Sequence, residues 1–334
     1  MASINAFNWN HASPFQTNEA MATMSVDELA TASKLDWGVS KQPLYTRVGD
    51  EMKEVVGKYM LERDTDNAPL SIVGTKYKPI QNREWLDFAA GFCEAGGATI
   101  QNAGSFGNGK FVFVMAKLGD SFNLRKNRKD TKDEMGGFAC LVQPHVHAYG
   151  VMMLATPVRF ACFNALPRLI SAAKMGKSGR IFSMSHSRVF TPAMRDAAAT
   201  ALGAVSENIA AFRKEAETLI SAKADEHAVK AYFDNVVNFD REAATKAAAA
   251  ANKTMREPRV IAKLQEALEK SPGAELNTAK GTFWGALNAV TYTMDHMMGR
   301  EKDSAETAFG SSLIGDRSMI KRRALSLALE MAAA

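Results

Sequence analysis

Apolar positions recur along the chain with two different periods, and the change between them divides it. From Leu35 to about residue 160, short apolar runs alternate with turn residues. Trp37, Val39, Pro43-Leu44-Tyr45, Val55-Val56-Gly57-Lys58-Tyr59-Met60 and Ser71-Ile72-Val73-Gly74 read as strands, with turns at Val48-Gly49-Asp50 and Asp64–Asn67. Inside this stretch Trp85, Phe88, Ala89 and Phe92 recur at helical spacing. Asn82 is placed to cap that helix and Gly96-Gly97 to end it. Ala98–Ile100 and Phe111–Ala116 predict a hairpin around Gly104, Gly107 and Gly109, and its second strand is apolar on both faces, as a central strand is. Phe138–Val142 and Tyr149–Leu154 predict another strand pair.

After Thr191-Pro192 the period becomes helical. Ala201, Val205, Ile209, Phe212 and Leu219 place a long helix over 193–222, with Thr191 as N-cap and Pro192 at its first position. Further helices are expected over 225–251, 257–270, 279–299 and 316–332. The fold class is therefore α+β: a strand-rich N-terminal half with an embedded helix, a β-β-β-α-like core, then a mostly helical C-terminal half. Three regions are expected. Residues 1–34 form a flexible arm with a short capped helix starting at Ser25, 35–190 the α+β core, and 191–334 a helical region for packing or oligomerisation.

Composition narrows the class without deciding it. Of 334 residues, 46% are hydrophobic and 23% charged, which excludes a disordered, collagen-like or disulfide-framework chain. No run approaches the roughly 18 apolar residues of a membrane span, so no membrane association is expected. The first thirty residues lack the basic start and apolar run of a secretory signal. Cys93, Cys140 and Cys162 lie in apolar surroundings and read as buried thiols of a reducing compartment, so the cytoplasm is the expected location.

Charge changes the picture more. Residues 1–100 carry 9 Lys and Arg against 13 Asp and Glu, residues 101–200 carry 14 against 5, and residues 201–334 carry 18 against 18. All the excess of the net +5 thus sits in the middle third. Such a block is either a polyanion footprint or a solubilising surface.

Candidate chemistry elsewhere is thin. Cys140, His145 and His147 come nearest to a metal set, but no second Cys/His pair follows at finger spacing, so no metal is expected. Gly104 and Gly109-Lys110 have Walker spacing, yet Phe111 and a strand follow where a Ser or Thr and a helix are required. No nucleophile elbow or triad spacing occurs, and no catalytic residue or cofactor is expected. The basic elements say more. Arg125-Lys126-Asn127-Arg128-Lys129 with Lys132 forms a loop, Arg159 and Arg168 flank Phe160 and Phe163, and Lys174, Lys177, Arg180, Arg188 and Arg195 follow with Phe182 and Phe190. Cations that track phosphates, interleaved with ring faces on which bases can stack, are what a single-strand groove needs. Equally, the phenylalanines fit a hydrophobic core with the cations solvating its surface.

Three blocks carry a resemblance. They are Arg63-Asp64-Thr65 with Val73–Asn82, then Ala103–Phe106 with Gly109-Lys110 and Pro157–Leu166, and finally Gly281–Trp284 with Asn288–Tyr292, Asp295-His296 and Lys321. In this order they resemble the phage/plasmid-like protein family built on domain of unknown function 932. Ala165 departs from it where a Thr usually follows the Asn, and His145-Val146-His147 departs where a Ser-His-Asp-Gly-like stretch is common. The resemblance implies a bacterial host cytoplasm and phage or plasmid DNA metabolism. The strand-rich half with its helix is also similar to the core of single-strand annealing proteins of the RecT/Beta and Rad-type groups.

The expected function is non-enzymatic single-stranded DNA binding and annealing in recombination or replication. The chain would act as a homo-oligomeric ring or filament, with a phage exonuclease or single-strand-binding protein as a further partner. Lys110, Arg125, Lys126, Arg128, Lys129, Arg159, Arg168, Lys174, Lys177, Arg180 and Arg188 are the expected phosphate contacts. A phage structural or host-interaction protein without DNA affinity is the alternative. An enzyme built on Arg159, Asn164 and His186 is a third reading.

Overall fold

The computed structural model describes residues 19–127, 129–130, 132–146, 149–159, 164–165, 168–169, 192–237, 259–298 and 305–334. Among these the class is α+β. The chain divides into two compact units built from interleaved segments. One is Met1–Leu118, Ala139–Leu154 and Leu169–Val205; the other is Gly119–Phe138, Ala155–Arg168 and Ser206–Ala334. Each unit is assembled from segments that are not continuous in the sequence.

In the first unit a single-turn 3-10 helix (Glu19–Thr23) precedes α1 (Val26–Ala32). Ser25 and Glu28 close a reciprocal capping box at the start of α1. Leu29 and Ala30 are fully buried, so 19–34 is a docked segment rather than a flexible arm, anchored by its apolar face. Residues 1–18 lie outside the described residues.

Strands β1 (Val39–Val48), β2 (Glu51–Arg63) and β3 (Pro69–Gly74) form an antiparallel sheet in that order. The strands predicted here as short pieces are continuous, because a two-residue turn at Gly49-Asp50, with Gly49 at φ 66°, joins two long partners. Helix α2 (Asn82–Ala95) buries Trp85, Leu86, Phe88, Ala89, Phe92 and Cys93 on one face. Full burial of each large member is worth about 1.5–3 kcal/mol.

The second sheet runs β4 (Ala98–Phe106), β5 (Phe111–Leu124), β6 (Asp133–Pro144), β7 (Met152–Arg159) and β8 (Asn164–Ala165), with β9 (Arg168–Leu169) also on β7. Strand β5 is central, and Val112–Ala116 are buried on both its faces. The β4–β5 hairpin turns through Gly107, Asn108 and Gly109, all at positive φ, which makes the glycine spacing a turn and not a phosphate loop.

In the second unit, α3 (Pro192–Ser221) continues from the first. It is followed by α4 (Glu226–Val237), α5 (Arg259–Lys270), α6 (Phe283–Tyr292), a π-turn (Thr293–Met297), α7 (Ala305–Ile314) and α8 (Asp316–Ala333). Every residue of α6 from Phe283 to Thr291 is buried, as in a helix packed from all sides. Around it pack Phe212, Leu219, Tyr232, Phe233, Leu264 and Ile320. Thr282 caps α6 by accepting from the Gly285 N–H. A Cβ on Gly285 would stand 2.0 Å from the Ala279 carbonyl oxygen, so only glycine allows this approach. No described helix is long and apolar enough to cross a membrane.

Candidate functional site

The structure places the predicted phosphate contacts in different settings. In the second unit the β5–β6 turn presents Arg125, Lys126, Lys129 and Lys132 as exposed side chains. The turn is held by its own acid: Asp130 accepts from the Asn127 N–H at 2.8 Å and from Asn277 Nδ2 at 2.9 Å. The Asn277 bond, first among several, holds the Asp130 carboxyl below the usual carboxylate range. With both oxygens engaged, the one acid in the turn is committed to the fold while the cations around it face water. In the first unit Lys110 is exposed at the β4–β5 turn, and its carbonyl accepts from the His145 N–H at 2.7 Å.

Arg159 requires a correction. It is 1% exposed, and its guanidinium forks onto the fully buried Asp133 through Nε at 2.8 Å and Nη2 at 2.9 Å. Asp133 also accepts from Thr278 Oγ1 at 2.9 Å and Trp284 Nε1 at 3.0 Å, and Arg159 Nη2 donates to the Gly273 carbonyl at 3.0 Å. A charge buried among aromatic and helical residues must find its counter-charge inside the protein, so Arg159 is not available to a phosphate. The sequence pattern assigns Asp133 no role, because the partners that define it lie 26 or more residues away. Arg159 and Trp284, which both bond to it, fall in two of the blocks that carry the family resemblance. Arg168 starts β9, and nothing is described of its side chain. Arg128, Lys174, Lys177, Arg180 and Arg188 lie outside the described residues, as do Phe160, Phe163, Phe182, Phe190, His186, His147 and Cys162.

A second buried cluster lies in the first unit. Asn82, expected as a cap, is the first residue of α2, and Gln81 stands at the cap position. The Asn82 side chain is fully buried. Its Nδ2 donates to the Trp37 carbonyl at 2.9 Å, and its Oδ1 lies 3.0 Å from His145 Nε2. That donation turns the acceptor oxygen toward the ring, so Nε2 carries the proton. The opposite nitrogen, Nδ1, then accepts from the Gln143 amide at 3.3 Å. His145 is thus a neutral, buried side chain that closes the first unit, with both ring nitrogens committed away from any metal. Beside it Arg63 forks onto Asp66 at 2.7 and 2.6 Å and lies 5.4 Å over the Trp37 ring. Gly109 packs against that same ring, where a Cβ would stand 3.2 Å from it. Blocks one and two therefore meet at Trp37.

A third cluster joins Asp295 on the π-turn, Ser312 on α7 and Lys321 on α8. Asp295 accepts from Lys321 Nζ at 2.8 Å and from the Ser312 hydroxyl, and Lys321 Nζ also donates to Ser312 Oγ at 2.7 Å. Burial lowers the pKa of the Lys321 ammonium, and the Asp295 charge opposes that shift. The Ser312 hydroxyl thus donates to a carboxylate and accepts from an ammonium within one buried polar cluster. The arrangement joins three helical segments, the π-turn, α7 and α8.

Among the described residues no group of three His, Cys, Asp or Glu side chains is placed to hold a metal ion. Burial pushes the Cys93 thiol up to about 12 and raises that of Cys140 further. These are inert core thiols. No curated protein and no solved structure matches the chain. The family model for domain of unknown function DUF932 matches residues 69–312, which is more than half of it. The chain therefore belongs to the DUF932 family.

Proposed function

We propose that this protein is a non-enzymatic single-stranded DNA-binding and annealing protein of phage or plasmid origin, acting in the host cytoplasm during recombination or replication. The observation that carries the reading is the β5–β6 turn. Arg125, Lys126, Lys129 and Lys132 are exposed on a turn whose single acid is already bonded to Asn277 and the backbone. The turn lies in the middle third of the chain, where 14 basic residues face 5 acidic ones. Phosphates lying along such a turn would release condensed counterions and leave base edges free to pair with a second strand.

The test is fluorescence anisotropy of labelled single- and double-stranded oligonucleotides across a salt series, followed by addition of the complementary strand. The expected result is tighter binding to the single strand, a steep loss with salt, and accelerated pairing. Flat anisotropy at low salt would remove the reading. The alternative, a phage structural or host-interaction protein without DNA affinity, draws support from the exposed apolar side chains of the β1–β2 hairpin. Tyr45, Val48, Met52 and Val56 on that hairpin, with Ile72 on β3, are five of the six large hydrophobics exposed among the described residues.

A further inference from the structure

The β1–β2 hairpin is built as a contact surface. Beyond Pro43 on β1, and up to Glu54 on β2, every residue of the ribbon except Leu44 is exposed, so the tip has water on both faces. Met52 is 65% exposed, Val56 89% and Tyr45 52%. A two-stranded ribbon with no covered face is at best marginally stable in water, and exposed apolar clusters mark contact surfaces. Edge pairing is opposed here, because Pro43 removes a donor from the outer strand β1, and the other edge strand, β3, is short and starts at Pro69. What remains for contact is a face.

The register defines one such face. Tyr45 lies opposite Glu54, and two residues on Arg47 lies opposite Met52, so these four side chains share one side of the ribbon. Tyr45 and Met52 occupy one diagonal of the square, Arg47 and Glu54 the other. A second identical face, turned over about the apolar diagonal, sets tyrosine on tyrosine and methionine on methionine. The same rotation sets each arginine on the partner's glutamate. The patch is therefore complementary to itself, as a two-fold contact requires. The charges of the whole ribbon, Lys41, Arg47, Lys53, Lys58 and Arg63 against Asp50, Glu51, Glu54 and Glu62, nearly cancel, which suits a protein surface and not a polyanion. Arg47 at present reaches back to Asp50 at 3.2 Å and to the Gly49 carbonyl, an exposed pairing that costs little to exchange. The hairpin also lies outside the residues that the family model matches.

We propose that the Tyr45–Arg47–Met52–Glu54 face of the β1–β2 hairpin is a self-association surface that docks on the same face of a second copy of this chain. A single two-fold contact of this kind closes a dimer, and it stands on geometry independent of nucleic acid and of the function proposed above. The full-length chain is followed by light scattering coupled to size exclusion over a dilution series, without nucleic acid. The wild type should show a dimer, twice 36.3 kDa, that dissociates on dilution. Arg47→Glu sets glutamate against glutamate and should raise the dissociation constant at least about tenfold. Arg47→Glu with Glu54→Arg restores the pairing and should recover association, while far-UV circular dichroism reports that each variant is folded. A monomer at all concentrations would overturn the proposal. So would a multimer unmoved by Arg47→Glu, or a double variant no better than the single. Oligonucleotide binding is measured separately: an Arg47-dependent multimer without DNA affinity would remove the functional reading and leave this surface standing.

Discussion

Two sets of cations stand close together in the sequence and do opposite things. Arg159 is buried, forked onto Asp133 and held in place by Thr278, Trp284 and the Gly273 carbonyl. Arg125, Lys126, Lys129 and Lys132, on the turn that leads into Asp133, face solvent. Both belong to the same block of positive charge, yet one is buried within the fold and the other is exposed on its surface. The difference is where the counter-charge lies. Asp133 opens a strand whose every following residue but Glu134 is buried, so it draws an arginine in with it. Asp130, three residues earlier, spends its oxygens on Asn277 and the turn backbone and leaves the neighbouring cations unburied.

The largest effect that could break this contrast is at Asp133. Asp133→Ala leaves Arg159 charged and buried without its carboxylate and should cost about 3–5 kcal/mol in urea unfolding. A loss under 1 kcal/mol would mean that Arg159 finds water, and the assigned division of labour would fail. The neutral network around His145 offers a calibration. Asn82→Ala strands the Trp37 carbonyl and the His145 N–H and should cost about 1–3 kcal/mol, less than Asp133→Ala because no charge is orphaned. Equal losses would show that charge is not what separates the clusters.

A pH-dependent effect follows from Cys93. Its thiol stays protonated in the folded chain up to about 12, while in the unfolded chain it ionises near its ordinary value of 9.0. Below that ordinary value the thiol contributes no pH dependence. Through the interval from 9 to 12 the unfolded state loses the proton and the native state keeps it, so stability should fall as pH rises. Chemical denaturation at successive pH values, with Cys93→Ala as reference, reads this directly; equal slopes for both proteins would contradict the burial. The smallest stability effect is expected at the turn. Lys126→Ala with Lys129→Ala should change unfolding by no more than about 0.5 kcal/mol, and any larger loss would make these side chains structural.

The sequence exposed the parts of the fold governed by period and left hidden those governed by partners. The run from Ala201 to Leu219 predicted α3 because its apolar spacing is set within the helix itself. The central position of β5 was visible in the unbroken run Phe111–Ala116 for the same reason. Helix α7 went unseen, since Gly310, Ser311 and Ser312 are poor helix formers and Ser312 is positioned by Asp295 and Lys321 from other segments. Asn82 looked like a cap because caps are the commonest local use of asparagine, whereas its actual partners, Trp37 and His145, are 45 and 63 residues away. Arg159 failed in the same way: its charge is printed in the sequence, but the buried aspartate that claims it is 26 residues distant. Of the candidate site, the exposed Arg125, Lys126, Lys129 and Lys132 were legible, because they cluster within one short segment.

The central claim is that the turn cations, and not the buried arginine, meet the polyanion. The measurement that tests it most directly is the salt dependence of single-strand binding by wild type and by a variant carrying Arg125→Ala, Lys126→Ala, Lys129→Ala and Lys132→Ala. The account predicts a folded variant with weaker binding and a salt slope shallower by roughly 0.7 for each cation that contacts a phosphate. Unchanged affinity with an unchanged slope would contradict it and place the contact elsewhere in the chain.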